Sequence, residues 1–153
     1  MLLPMQRQYR FVSADHLFMR AAREYAFMHS TVSTQPTGAV VVKGGVIIGV
    51  GANQSRLKNK ILLFLHKMFC IRKLLHIKTG TRYWLCPGCA DYHDHAEARA
   101  SRDAARIQDA QDSTLYLWGH WWCCEPCWET MRAAGIRNVY LMEGSEKVFN
   151  TKR

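Results

Sequence analysis

The sequence predicts an α/β protein, a three-layer α/β/α sandwich around a mixed central sheet. Three observations carry this. Apolar residues at helical spacing open the chain, two glycine-joined apolar runs follow, and the later strands alternate with helices. Strand–helix–strand succession implies parallel pairing through right-handed crossovers, whereas the glycine-joined pair must be antiparallel, so the sheet is mixed. The chain has 153 residues, 48% hydrophobic and 22% charged. That size suits a single domain over 1–153, with a core large enough to fold without disulfides.

Each element has its own signal. Ser13 and Asp15 have helix-start character, and Leu17, Phe18, Ala21, Ala22, Tyr25 and Met28 recur behind them at helical spacing. This predicts a first helix over 15–30, with Met19 and Met28 as core candidates. Residues 30–36 are polar and turn-like. Gly38–Lys43 reads as a buried strand, Gly44-Gly45 as a hairpin turn and 46–50 as the returning strand. Residues 56 to about 75 are helix-compatible, amphipathic and basic, and Thr79-Gly80-Thr81 ends them. An alanine-rich helix over 96–110, a strand over 113–118, a helix over 125–134 stopped by Gly135, and a strand over 136–142 follow. The tail from Glu143, with Val148 and Phe149, reads as a short last strand. No internal repeat is visible, and residues 56–92 read as an insertion between the hairpin and the second core helix.

Charge is unevenly spread. Twenty-one basic and twelve acidic residues give +9, and eight of the basic ones fall within 56–82, which holds no Asp or Glu. Such a block favours phosphate-bearing partners, either nucleotides or nucleic acid. A solvated basic face with no partner is the plain alternative. No stretch approaches the roughly 20 apolar residues of a membrane helix, and the first eleven residues lack the apolar centre of a secretory signal. A cytoplasmic protein without a membrane partner is expected.

The six cysteines are Cys70, Cys86, Cys89, Cys123, Cys124 and Cys127, and two pairs have Cys-x-x-Cys spacing. Without a leader, metal sites explain them better than disulfides. His95-Ala96-Glu97 opens one predicted helix and Cys124-Glu125-Pro126-Cys127 another. One imidazole and two thiolates hold zinc with its fourth position open, as catalytic zinc requires. Glu97, two residues past the ligand His95, is placed to act as general acid and base. Taken singly, a Cys-x-x-Cys is more often structural and a His-x-Glu is common by chance; their order and helix-start context give the pair its weight. His66, Cys70, Cys86 and Cys89 make a second set, a closed Cys3His structural zinc site that uses every other cysteine except Cys123. His66 and Cys70, four residues apart, would share one helix face. His93 and His76 are rival fourth ligands, and free thiols with a solvent-facing His66 are the plain alternative.

These motifs resemble the cytidine and deoxycytidylate deaminase family, over about 15–142. Thr37-Gly38-Ala39-Val40-Val41-Val42 followed by Ile48-Gly49-Val50-Gly51-Ala52-Asn53 resembles its first hairpin. His95-Ala96-Glu97 resembles its first zinc motif, and Cys124-Glu125-Pro126-Cys127 with Ala134-Gly135-Ile136 its second. The family usually has proline before the first cysteine; Cys123 stands there, so either neighbouring thiol could bind, with Cys124 preferred because it keeps the gap to Cys127. The resemblance implies a cytidine deaminase-like fold and hydrolytic, zinc-dependent deamination by a chain that is at least dimeric. It implies that Asn53 contacts the nucleoside, that Gly38 and Ala39 line the pocket floor, and that Ala96 belongs to the substrate site. It also implies an extra zinc before His95, as deoxycytidylate deaminases often carry.

The expected reaction is therefore deoxycytidylate to deoxyuridylate with release of ammonia, the basic insertion meeting the phosphate. Two alternatives stand beside it. One is a deaminase of nucleic acid, of the tRNA adenosine type, or of a purine base. The other is a non-catalytic, zinc-held nucleic-acid-binding module, against which Glu97 argues. Trp118, Trp121, Trp122 and Trp128 flank the second motif, with His120 among them; most are expected to pack, with one or two walling the pocket.

Overall fold

The computed structural model describes residues 8–32, 34–78 and 81–150. Its elements are β1 (Tyr9–Val12), α1 (Leu17–His29), β2 (Gly38–Lys43), β3 (Val46–Ala52), α2 (Lys60–Met68), α3 (Ile71–Leu74), α4 (Ala96–Ile107), β4 (Ser113–Trp118), α5 (Glu125–Ala134), β5 (Ile136–Met142) and α6 (Ser145–Phe149), with short 3-10 turns at Tyr83–Leu85 and Tyr92–Asp94. The five strands form one sheet in the order β1-β5-β4-β2-β3. The pairs β1/β5 and β4/β5 are parallel; β2/β3 and β2/β4 are antiparallel. The mixed three-layer sandwich expected from the element order is the fold.

Side-chain alternation explains the two outer layers. Along β2, Val40 and Val42 point to one face, where they join Met19 and Ala22 of α1. Ala39 and Val41 point to the other, where they join Ala96, Ala100 and Ala104 of α4 and Met131 of α5. Gly44 and Gly45, at φ 59° and 77°, make the tight β2–β3 turn that two left-handed residues allow. Gly49 and Gly51 of β3 lie directly under α4. A side chain on Gly51 would come within 2.4 Å of the Ala96 carbonyl and the Ala100 amide. This close approach fixes the first turn of α4 against the sheet, and that turn carries His95 and Glu97.

Several expectations are corrected. The first helix starts at Leu17, capped by His16, whose Nδ1 accepts from the Phe18 amide at 3.3 Å; Ser13 instead turns the chain ahead of it, accepting from the Asp15 amide. Met28 is 76% exposed while Met19 is fully buried. Nine residues at about 100° each put them on opposite faces of α1. Strand β1 carries Arg10 and has neither alternation nor length to announce it; its partner β5 lies at the far end of the chain. Because β1 occupies the sheet edge beside β5, the tail cannot add a strand there. It forms α6 instead, and Phe149 packs edge-on to Trp118 at 5.2 Å.

The insertion departs most from its expected form. The single helix expected over 56–75 is two, with Phe69 and Cys70 between them in non-helical conformation. Asn59 caps the first, its Oδ1 accepting from the amides of Ile61 and Leu62. His66 and Cys70 therefore do not share a helix face. The expected break at Thr79-Gly80-Thr81 lies partly outside the described residues, as do residues 1–7 of the N-terminal stretch and 151–153 of the tail. No helix among the described residues is long and apolar enough to cross a membrane.

Candidate active site and metal centres

Two helix starts build the first site. His95 is the N-cap residue of α4, and Cys124 is the N-cap residue of α5. Pro126 follows in the first turn of α5, where its missing N–H is no loss. Cys127, one position on, is fully buried. The His95 Nδ1 lies 3.5 Å from Cys124 Sγ and 3.4 Å from Cys127 Sγ, and the sulfurs are 3.2 Å apart. Tetrahedral zinc, with Zn–S near 2.3 Å and Zn–N of about 2.0–2.1 Å, separates two sulfurs by about 3.8 Å and sulfur from nitrogen by about 3.6 Å. The three donors thus fit one zinc ion, with the sulfurs slightly closer than ideal. Glu97, 5% exposed, stands in the first turn of α4 beside them.

The electrostatics of the triad follow from those contacts. The hydrogen bond shared with Cys127 and then the one shared with His95 draw the Cys124 thiol down to about 5, against the opposing effect of burial. The hydrogen bond shared with Cys124, and then burial, push the Cys127 thiol far above the ordinary range. Burial alone would lower His95; its hydrogen bond to Cys124 and the charge of Glu97 outweigh this and raise it. Two helix N-termini add their positive ends, which favour thiolate.

Cys123 stays outside this group. Its amide donates to the Tyr9 hydroxyl at 2.6 Å, and burial, followed by the charges of Glu97 and Cys124, pushes its thiol well up. The structure thus groups Cys124, and not Cys123, with His95.

The second set also comes together. His66, Cys70, Cys86 and Cys89 place one donor atom each within 4.8 Å of one another. Cys70 Sγ is 3.9 Å from Cys86 Sγ and 3.7 Å from Cys89 Sγ, and Cys89 Sγ is 3.6 Å from His66 Nε2. These separations match the tetrahedral values closely. Burial lowers His66, helped by the charges of Lys73 and Arg72, which keeps its imidazole neutral and able to ligate. Burial pushes Cys89 up to about 12, while amides from Gly88, Ile71 and Cys89 overcome burial and lower Cys86. His93 and His76, the rival ligands, are not in the cluster. His93 lies against Tyr92 with the rings tilted by 38°, and His76 faces the cavity described next.

A cavity of about 910 Å³ connects the two sets. Its lining includes His95, Ala96, Glu97 and Cys124, together with His120, Trp121 and Trp122. The insertion supplies Lys73, His76 and Lys78. Thr34, Gln35, Thr37 and Asn53 line it from the loop side. His120 stacks on Trp121, with centroids 4.5 Å apart and planes 1° apart, and accepts from the Trp122 amide at Nδ1, so its remaining nitrogen carries the proton. Trp118 and Trp128 pack instead, against Phe27 and Tyr9 respectively.

Asn53 and Ala96 line the cavity. The Asn53 amide also holds the loop in place: Oδ1 accepts from Ser30 Oγ and the Thr37 amide, and Nδ2 donates to the Gln35 carbonyl. Gly38 and Ala39 do not line the cavity, which corrects the expected pocket floor. A side chain on Gly38 would meet the Ala22 carbonyl of α1 at 2.2 Å, and Ala39 is sealed in the core with Ala96. Their smallness serves close helix–sheet packing. The Thr34–Gln35 wall was not foreseen; its only sequence signal was a polar run read as a turn. Nor do the cations of 56–82 form one outward stripe. Arg72 is buried and donates to the carbonyls of Thr81 and Lys78 and to Cys89 Sγ, and Lys58 reaches the Ser55 carbonyl.

One imidazole and two thiolates at paired helix starts, beside a buried glutamate in an α/β/α sandwich, define the class of zinc-dependent deaminases. A family model, the cytidine and deoxycytidylate deaminase zinc-binding region, matches residues 12–143. The chain belongs to that family, whose members are zinc-dependent hydrolases of C–N bonds. No curated protein sequence matches it. Among solved structures, it is similar to the dCMP deaminase of cyanophage S-TIM5 in complex with dCMP and dUMP. That likeness is 19% identical over 86% of this chain and 84% of the other, with a TM-score of 0.50, and shows the shared fold. It also overlaps the diaminohydroxyphosphoribosylaminopyrimidine deaminase/5-amino-6-(5-phosphoribosylamino)uracil reductase of Thermotoga maritima, 24% identical over 81% of this chain, with a TM-score of 0.46. The chain spans 28% of that longer protein.

Proposed function

We propose that the protein hydrolytically deaminates a cytosine-type nucleotide, with deoxycytidylate as the leading substrate, giving the uracil-type nucleotide and ammonia. The observation that carries this is the single cavity shared by Glu97 and the insertion residues Lys73, His76 and Lys78. A base at one end and a phosphate at the other satisfy both, and the volume lies in the range of small-molecule sites. The shared fold with an enzyme solved with dCMP and dUMP supports the same substrate class.

Zinc held by His95, Cys124 and Cys127 would supply a Lewis acid and bring the pKa of a water toward neutrality. The rest is done by side chains of this chain. Glu97 takes a proton from the attacking water and gives it to the ring nitrogen; a second proton transfer through the same carboxylate releases the amine as ammonia. Water adds one oxygen and two hydrogens, and ammonia leaves with the nitrogen, so the reaction balances without a redox partner. His120 and the flat faces of Trp121 and Trp122 form the wall against which a base can stack. Asn53, pinned by Ser30, Thr37 and Gln35, fixes the loop on the opposite side. We assign a second, structural zinc to His66, Cys70, Cys86 and Cys89, holding the insertion that carries the phosphate end.

The test is ammonia release by zinc-loaded protein from deoxycytidylate, deoxycytidine, cytidine, adenine and guanine compounds, and single-stranded RNA and DNA. Deoxycytidylate should be turned over best. Glu97→Gln should lower kcat by roughly 10²–10⁴-fold with zinc content unchanged. Turnover of nucleic acid alone, with a steep salt dependence from several phosphate contacts, would replace this reading by the nucleic-acid one. Full activity in Glu97→Gln would remove the proposed proton carrier.

A further inference from the structure

His120 holds out a hydrogen-bond donor that none of the described residues accepts. The end of β4 sets its backbone. Gly119 turns the chain there at φ 97°, and a side chain on it would come within 2.3 Å of the Pro36 carbonyl oxygen. The Gly119 carbonyl accepts from Gln35 Nε2 at 3.2 Å. This anchored turn delivers His120 to the cavity that Glu97 also lines. The ring is then held by its neighbours. Its Nδ1 accepts from the Trp122 amide at 3.3 Å, Trp121 covers one ring face with centroids 4.5 Å apart, and Trp122 stands edge-on at 5.6 Å. With Nδ1 as acceptor, the proton of the neutral ring sits on Nε2. The ring is also near enough to Glu97 and His95 for their charges to act on it. Water can take the Nε2–H bond in the open cavity. A base that displaces this water must offer an acceptor in its place or forfeit the bond.

We propose that His120 Nε2–H donates to the C2 carbonyl oxygen of the base and sets a preference for cytosine over adenine-type rings. The assignment rests on the cytosine reading above, and the chemistry of the two rings decides it. In cytosine the carbon that loses its amine is C4, and the neighbouring N3 takes the proton from Glu97. The next atom along that edge is C2, whose oxygen is the one acceptor left there. In adenine the carbon that loses its amine is C6, N1 takes the proton, and the next position is a C–H with nothing to accept. The same fixed donor is thus satisfied by the first ring and left unpaired by the second. Sites built around such a hydrogen bond discriminate strongly, because the analogue strands a polar group. Trp121 and Trp122 act as positioning residues: the stack and the amide bond fix the direction of the donor and its tautomer.

The test pairs a change in the protein with a change in the base. His120→Phe keeps an aromatic ring and removes the donor; His120→Gln keeps an N–H donor. In 2-thiodeoxycytidylate a sulfur, a weak acceptor, replaces the C2 oxygen. Wild type should favour the oxygen substrate in kcat/KM, and His120→Phe should shrink that preference by at least about 10-fold, with His120→Gln in between. The preference for deoxycytidylate over deoxyadenylate should narrow in the same order. Deoxyuridylate keeps the C2 oxygen, so its Kd, read by calorimetry without turnover, should rise roughly 10-fold in His120→Phe at unchanged zinc content. A wild type indifferent to oxygen or sulfur overturns the proposal, and so does a His120→Phe protein that keeps the wild-type preference; either leaves cytosine deamination standing. A wild type that turns over no cytosine nucleotide overturns that reading and this one together.

Discussion

His95, Cys124 and Cys127 stand on the N-termini of α4 and α5, helices that pack directly on the sheet. His66, Cys70, Cys86 and Cys89 stand on two short helices and a Pro-Gly turn that share no buried apolar cluster with the sheet: their three cysteines form a small core of their own. The first set has three donors and a buried carboxylate at its side. The second has four donors and no Asp or Glu anywhere from 56 to 90. The comparison teaches that ligand count and the neighbouring proton carrier, not the ion, divide the tasks. The open set can present an ion to a substrate and move a proton there; the closed set can only hold chain together.

Exchanging one thiolate in each set is the most direct way to break that division, and has the largest expected effect. Cys127→Ser should lose one equivalent of zinc and all measurable turnover while the fold persists, because α4, α5 and the sheet keep their own core. Cys86→Ser should also lose one equivalent. Its effect should fall on the insertion: structural zinc contributes about 10–16 kcal/mol in small zinc-held folds, far more than this segment's packing can replace. Hydrogen exchange over 58–89 should rise steeply with the sheet still protected, and KM for the nucleotide should rise with kcat at saturation retained. If Cys86→Ser abolishes kcat with one zinc still bound, the two sets are not independent.

How much of this was legible in the sequence follows from the range of the forces involved. The Cys-x-x-Cys pairs and the His95 helix start were readable because they fix donors over a few residues, whereas His66 and Cys70 come together without the shared helix face their spacing suggested. The Gly44-Gly45 hairpin was readable for the same reason. Strand β1 was not, since four residues with Arg10 among them become a strand only by pairing with β5 more than 120 positions later. Met28 lies on the exposed face of α1 although its residue type and spacing suit the core, because helical spacing alone does not say which face is buried. Gly38 and Ala39 were read from the family pattern as floor, when their size answers to α1 and the core. The cavity wall made by Lys73, His76 and Lys78 belongs to tertiary placement of the insertion, which no local spacing encodes.

Arg72 sharpens the contrast at a smaller scale. It is 9% exposed, and its guanidinium donates to the carbonyls of Lys78 and Thr81 and to Cys89 Sγ at 3.6 Å. Three thiolates holding a zinc ion would carry a net charge of −1, which this buried guanidinium would offset. Arg72→Gln should therefore lower zinc affinity of the closed set by roughly 10–100-fold and leave the open set unchanged. Competition with a graded chelator reads both affinities in one titration. Equal weakening of both would mean that Arg72 acts through the fold as a whole and not on the thiolates it touches.

The smallest expected effect separates the open site's wall from its ligands. Burial lowers His120 below its ordinary 6.5; Glu97 opposes this, while the charge of His95 adds to it. Its Nδ1 is engaged by the Trp122 amide and its ring is stacked on Trp121, so the neutral form is the one built in. An unfolded chain protonates the same imidazole at its ordinary pKa. Protons therefore bind the unfolded state more readily, and the stability owed to this group is full above pH 6.5 and lost as pH falls below it. Across about pH 7.5 to 5.5 the loss is at most about 1.4 kcal/mol for one such group. Protonation of the ligands steepens the acid limb of wild type and variant alike, so it cancels in their difference. His120→Asn should then lose less stability than wild type over that interval, read from denaturant midpoints of the zinc-loaded proteins. Parallel acid limbs would show that His120 accepts a proton in place, and that the wall beside Glu97 is wetter than its burial implies.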